Sequence, residues 1–578
     1  MSPWPASLSD WEAWPEATEA ERKLIAAARA GGSCKLGARP EAFSPDRHIR
    51  APLIRLIAIG STPECGLPGI GLWLEGAWIT ETLDLRHATA RGEIVLDFCT
   101  LVDRPRLDYA RLTMLSLDDS ALPGLFAQNA EFSGSLFLRR AVVRGTLDVN
   151  SVTLDGQLSC SGATLDGEGG KSLNAQGMKL GQDLFLRGAR VSGTVAVNGA
   201  TVGGQLDCEG ATLDGNGSAA LNAQGMKLGE SLFLSGATVT GTLDVNGATL
   251  GGQLACEGAT LDGKGGMALN AQRLRVEQSF FFRNVKAVRG DVSLTSAHVG
   301  DLADDPASWA GITGETYLDG FTYDRIVRAS DARTRLDWLE TCAQWRGEVF
   351  PQPYTQLAKV LAATGHARAA RLVLHRRGQR MAAQEYRRDR ERHAELRFES
   401  GRLDGAAMIE AARRGDRHWL RMTATRLWAL FLDRLIGFGF RPEFALAWAA
   451  GTFLLATLVY WVAYTTGGMV PNSAVVMISA SWAEAMAQAP AAPALVWTSM
   501  AEGQHYESFA ALPYALDVVL PIVDLGQQSA WAPTTQTIPG TLAWVATWIF
   551  TLFGWMLSAL LVAALTGLIQ KNQPGADQ

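Results

Sequence analysis

Chemistry that depends on clustered ligands has little to work with in this sequence. The eight histidines, at positions 48, 87, 298, 366, 375, 393, 418 and 505, form no HxH or HExxH pattern, so metal-dependent hydrolysis lacks ligands. No GxGxxG follows a strand and opens a helix with an acidic residue ~20 positions on, so dinucleotide binding is unsupported. Gly167–Ser172 reads GEGGKS, but a phosphate loop needs glycine where Leu165 stands. The equivalent segments further on read GNGSAA and GKGGMA, without the lysine, and the segment reads as a corner insertion in a repeat. No catalytic residue, cofactor site or metal site is assigned from the sequence.

Basic residues are missing from two places. Met1–Lys23 carries Asp10, Glu12, Glu16, Glu19 and Glu21 with no basic start and no apolar run, so no secretory signal is expected there. Residues 467–540 contain no Lys or Arg at all. The net charge of −6 and a pI near 5.9 point to no nucleic-acid partner.

Glycine is what the chain has in abundance, and it recurs at intervals. LNAQGMKLG occurs at Leu173–Gly181 and again at Leu221–Gly229, a 48-residue period that GQLSCSGATLDG, GQLDCEGATLDG and GQLACEGATLDG also obey. Each period divides into units of about eleven residues whose apolar positions fall at offsets 0, 2, 5 and 7, as in Leu232, Leu234, Ala237 and Val239. Spacing of 2 is a strand with one face inward, and the shift of 3 with a glycine at the break is a corner. Two units make a coil of about 22 residues, and stacked coils bury their inward columns continuously. The expectation is a parallel β-helix over residues 66–300, about ten coils and ~50 Å long at strand spacing, with residues 1–65 as a helical cap. Cys160, Cys208 and Cys256 occupy one repeat position, two coils apart. At ~10 Å they lie beyond the ~7 Å disulfide limit and are expected to be buried thiols.

In these units the chain resembles pentapeptide-repeat proteins, whose A(D/N)LxG units build a four-sided β-helix. It departs from them in using eleven residues per two faces instead of ten. The fold class implied is multidomain, a pentapeptide-repeat-like solenoid followed by an α-helical linker domain and two transmembrane helices.

From about Asp304 helical spacing takes over, and residues 301–400 are expected to form a helical domain. Arg335–Trp345 and Gln352–Gly365 read as helices, and Tyr354, Leu357, Ala358, Gly365 and Ala369 resemble one tetratricopeptide-type hairpin. His366–Arg397 is a strongly basic helix in which Arg376, Arg377, Arg380, Arg387 and Arg388 are candidates for contact with anionic headgroups. Residues 401–441 read as an interfacial amphipathic helix.

Residues 442–570 form the expected membrane domain, with spans at 444–466 and 541–569 joined by the loop 467–540. Basic residues flank the spans and are absent from the loop. The positive-inside rule therefore puts both termini and the β-helix in the cytoplasm and the loop outside, at the inner membrane if the chain is bacterial. Phe509–Gln527 is too short and too punctuated by Pro513 and Pro521 to span, yet apolar. Span, short apolar helix, turn and span is the layout of two-helix ion-channel pores with a re-entrant loop. With GFGFRP at Gly437–Pro442, the C-terminal third resembles the membrane portion of bacterial pentapeptide-repeat proteins fused to such pores. The potassium-filter sequence TVGYG is replaced by Ile522-Val523-Asp524-Leu525-Gly526, leaving Asp517, Asp524 and Gly526 as pore-loop candidates.

Three functions follow as expectations. The first is a membrane-anchored scaffold or sensor that meets the lipid bilayer with its spans and a protein partner with its β-helix face. The second is a subunit of a homo-oligomeric ion channel. The third rests on resemblance alone: chains of this layout are sometimes labelled membrane-associated oxidoreductases, and no residue here justifies the enzyme label.

Overall fold

The computed structural model describes residues 4–60, 71–90, 92–327, 331–342, 344–345, 348–400, 406–520 and 522–565. It divides into two compact units, residues 1–366 and 367–578.

The first unit is a parallel β-solenoid of about 12 turns over residues 71–326. One full rung places short strands at Leu184–Phe185, at the two ends of Arg190–Ala196, and at Thr201–Val202, so the rung has four sides. The register stacks like on like. Leu158, Leu184, Leu206, Leu232, Leu254 and Phe280 form one column of direct partners, all fully buried. Leu165, Val191, Leu213, Val239, Leu261 and Val288 form another. Each such side chain contributes ~1.5–3 kcal/mol on burial, which is what a rung with only two- or three-residue strands must rely on.

Rungs alternate in length. Leu158 to Leu184 is 26 residues and Leu184 to Leu206 is 22, which together make the 48-residue period. The additional residues lie where the sequence suggested a corner insertion, and they form a projecting reversal. Glu168 and Gly169 have φ of 52° and 83°, Asn216 and Gly217 have 50° and 86°, and Lys264 and Gly265 have 52° and 84°. Two successive positive φ values are the signature of a type I′ turn, which explains the glycine at each second position. Asp166, Asp214 and Asp262 each accept the backbone N–H two residues on and so set the turn.

The thiols behave as the spacing predicted. Cys160, Leu186, Cys208, Leu234 and Cys256 are all fully buried, and Cys160 and Cys208 sit two rungs apart. Burial pushes the Cys160 and Cys256 thiols up to about 12. Cys34, Cys99 and Cys342 are also free and buried, while Cys65 lies outside the described residues.

The solenoid runs past residue 300, where it was expected to stop, to the strand Thr322–Ile326. The short helix Pro306–Ala310 interrupts the period and hides the last rung, although Leu318, Phe321 and Tyr323 continue the inward column. Residues 66–70 of the expected range are outside the described residues.

Both ends of the stack are covered, as open strand edges require. At the N-terminal end, Ser33–Lys35 pairs with Trp73–Glu75, and His48–Arg50 pairs with Trp78–Thr80. Arg47–Ile59 is thus strand first, then the helix Ala51–Ile59. The helix Glu19–Ala30 locks on through Glu21, which accepts from the Arg50 guanidinium and the Arg50 N–H. Burial opposes ionisation of Glu21, but the Arg50 and backbone hydrogen bonds outweigh it and hold its pKa below the usual range. At the C-terminal end, the helix Pro351–Ala363 lays two glutamines on the last strand. Gln352 accepts from Gly320 N–H and donates to Phe321 O, and Gln356 donates to Tyr323 O at 2.6 Å.

The second unit is helical. Ala367–Ser400 and Ala406–Ile436 pair as a long hairpin, tied by His375 and Gln379 against Asp433. Pro442–Thr465 and Ile538–Leu565 pack together, with Tyr460 Oη 2.9 Å from Thr547 Oγ1. Both are long and apolar enough to cross a bilayer. Residues 566–569 of the expected second span lie outside the described residues.

The double substitution Gln352→Ala/Gln356→Ala unpairs three backbone groups on a sheet edge. It is expected to cost roughly 1–3 kcal/mol and to raise self-association, read as a lower unfolding midpoint and a larger mass by light scattering. An unchanged midpoint and mass would show that these glutamines do not seal the edge.

Candidate functional site

The loop between the apolar helices is folded back on them. Gly467 has φ of 76° and turns the chain after the first span, and Met469–Pro471 pairs antiparallel with Trp531–Pro533. This small sheet closes the excursion of residues 472–530 at its base, and an aromatic cluster fills the space beneath it. Phe509 stacks on Tyr464 at 4.5 Å, Trp531 meets both rings edge-on, and Tyr506 Oη donates to Ala530 O.

From that cluster the helix Ala511–Val519 descends between the two spans. Tyr514 lies 4.6 Å from Tyr460, ring to ring. At the lower end, the backbone of Val519 sits against Gly554, where a β-carbon would collide with the Val519 carbonyl. Gly554 is 16 residues beyond Ile538, so the contact falls ~24 Å along the second span, past its midpoint. Proline could not occur here as a central helix residue, but Pro513 sits in the first turn, where its missing N–H costs nothing. The chain then returns over residues 522–530.

Of the three pore-loop candidates, Asp517 lies on the helix and Asp524 and Gly526 on this return, in different environments. Asp517 is buried and accepts from the N–H groups of Leu525 at 2.6 Å, Gln527 at 2.9 Å and Gln528 at 3.4 Å. Its carboxylate is committed to holding the returning strand. Asp524 is exposed and, among the described residues, accepts only from the Gly526 N–H at 3.0 Å, and Gly526 takes φ of 82° to allow it. Ile522 and Leu525, on either side of Asp524, are exposed as well. The sequence reading missed Gln527, which accepts from Ala510 N–H and donates to Glu507 and Ser508 O, bracing the top of the helix. It also missed Gly554, whose signal was a lone glycine in a long apolar run.

The basic candidates do not form one group. Arg377 is only 4% exposed, and burial lowers its pKa. Arg376 donates to Gln379, whereas Arg387 and Arg388 are exposed, past the middle of the same helix. The segment expected to lie in the interface forms Ala406–Ile436, paired along the hairpin but with Trp419, Leu420, Leu427 and Trp428 all about half exposed. GFGFRP is an elbow: Gly437, Phe438 and Gly439 have φ of 53°, 54° and 86°, and Phe438 is buried against Gly378. Among the described residues, no group of three or more His, Cys, Asp or Glu could hold a metal ion.

No family model, curated protein or solved structure matches the chain.

Asp517→Ala would strand two or three backbone N–H groups, a cost of roughly 2–3 kcal/mol, and is expected to open residues 520–530 to proteolysis. Gly554→Leu should do the same by displacing Val519. Protection equal to the parent chain in both variants would mean the helix is not held between the spans.

Proposed function

We propose that the chain is one subunit of a homo-oligomeric membrane pore that conducts cations, with the solenoid and both termini on the cytoplasmic side. The observation that carries this reading is the helix Ala511–Val519 wedged between two apolar spans, with an exposed Asp524 on the strand that returns from it. Two spans cannot enclose a pore, so a symmetric assembly is required. An exposed carboxylate without a cationic partner is costly in hydrocarbon and favourable in a water-filled passage between copies. Residues 467–540 carry Glu484, Glu502, Glu507, Asp517 and Asp524 with no Lys or Arg, so the mouth of such a passage would attract cations. The absence of TVGYG argues against potassium selectivity. The sidedness follows from the basic residues that flank the spans.

Purified protein in planar bilayers is expected to give cation currents that fall several-fold in Asp524→Asn, where only the charge is lost. Silence from a folded oligomer, or a monomeric mass in detergent, rejects the pore.

Docking of a protein on the solenoid has its own support. Phe137, Phe185, Phe233 and Phe281 point outward in one column, at every second rung, with Ser159, Asp207 and Ala255 between them. A photo-crosslinker at position 185 or 233 is expected to trap one partner in membranes. If it labels nothing reproducibly, the docking role is excluded.

A further inference from the structure

Where the first span begins, an open cavity of about 510 Å³ is lined by Arg368, Arg371, Leu372, Arg441 and Glu443. Three guanidinium groups face one carboxylate there. Arg441 donates to Glu443 at 3.0 Å and lies 4.2 Å over the Phe444 ring, which fixes it in place. Arg368 and Arg371 are exposed, three residues apart on one face of the first turns of Ala367–Ser400. Neither makes a salt bridge among the described residues, although Arg371, with Arg441, attracts the Glu443 carboxylate. Two helices, Ala367–Ser400 and Pro442–Thr465, start beside the cavity.

We infer that this cavity binds the phosphate of an anionic phospholipid. Arginine matches phosphate oxygens with paired N–H donors, and three arginines supply more donors than one carboxylate can use. The level in the bilayer favours a lipid over a free ion. Glu443 opens the apolar stretch, and Leu446 and Trp448, within the next turn and a half, are 58% and 48% exposed. A headgroup in the cavity would leave its acyl chains along those residues, and Leu372 gives the wall an apolar side. The inference rests on the membrane insertion in the reading above, and not on whether a pore forms.

The test uses the full chain in nanodiscs of equimolar phosphatidylcholine and phosphatidylglycerol, followed by release into detergent and native mass spectrometry. The parent chain is expected to retain phosphatidylglycerol, and Arg368→Gln/Arg371→Gln to retain about tenfold less, as loss of two charge-assisted contacts implies. The charge-matched control Lys179→Gln/Lys227→Gln should behave as the parent. Equal retention in parent and arginine variant, with both incorporated into discs, overturns the site while leaving the membrane reading intact. Failure of the parent to incorporate overturns the membrane reading itself. Displacement of the bound lipid by excess inorganic phosphate would transfer the site to a free anion and overturn the lipid assignment.

Discussion

Parallel stacking in strict register is the constraint from which the first unit follows. A strand of two residues has no stability alone, and a rung of four such strands has little more. What holds it is that Leu184 meets Leu158 on one side and Leu206 on the other, and that every inward position repeats this arrangement. A single inward column out of step would place a polar residue inside and an aliphatic one outside. The same constraint accounts for the positive φ at the corners: the chain must turn four times per rung without shifting any column. It also dictates the ends, because the last rung exposes the hydrogen-bonding groups that every other rung satisfies. Glutamine side chains from a helix and a buried Glu21–Arg50 pair meet that demand with side chains.

Much of this architecture was legible in the residues, because stacking leaves a direct trace in spacing. The offsets of 0, 2, 5 and 7 around Leu232 yielded strands, faces and the burial of the cysteines before any coordinates. What was not legible depended on contacts that leave no period. GEGGKS could be placed at a corner, but that its central pair forms a turn standing out from the rung requires knowing both φ values. Pro306–Ala310 broke the pattern, and so the final rung went unread. In the second unit, hydropathy located the spans, and two prolines marked the short helix between them. Nothing in the spacing of Asp517 indicated that its carboxylate would be committed to three backbone N–H groups. That pairing joins residues eight to eleven positions apart through a reversal that only the packed structure defines.

The second unit follows a different logic. Pro442–Thr465 and Ile538–Leu565 are apolar on all sides, so the informative residues there and beside them are the exceptions. Gly554 and the elbow at Gly437–Gly439 mark close approaches of backbone. Asp517, Gln527 and Tyr460 are polar groups whose partners lie within the unit. Asp524, Arg368 and Arg371 are among the exposed charges left over from any salt bridge in the described residues. The two proposals attach to these leftovers, one to a carboxylate on the returning strand and the other to guanidinium groups where the first span begins.

The alternation of long and short rungs has an evolutionary consequence. Because the pattern closes only after one of each, the smallest cassette that can be copied or deleted without misaligning the projecting turns is 48 residues. Near-identical stretches such as LNAQGMKLG at Leu173 and Leu221 are what recent tandem duplication of that cassette would leave behind. Homologous chains should therefore differ in length by whole cassettes, each adding roughly 10 Å of reach, while the terminal helices that seal the stack stay unchanged.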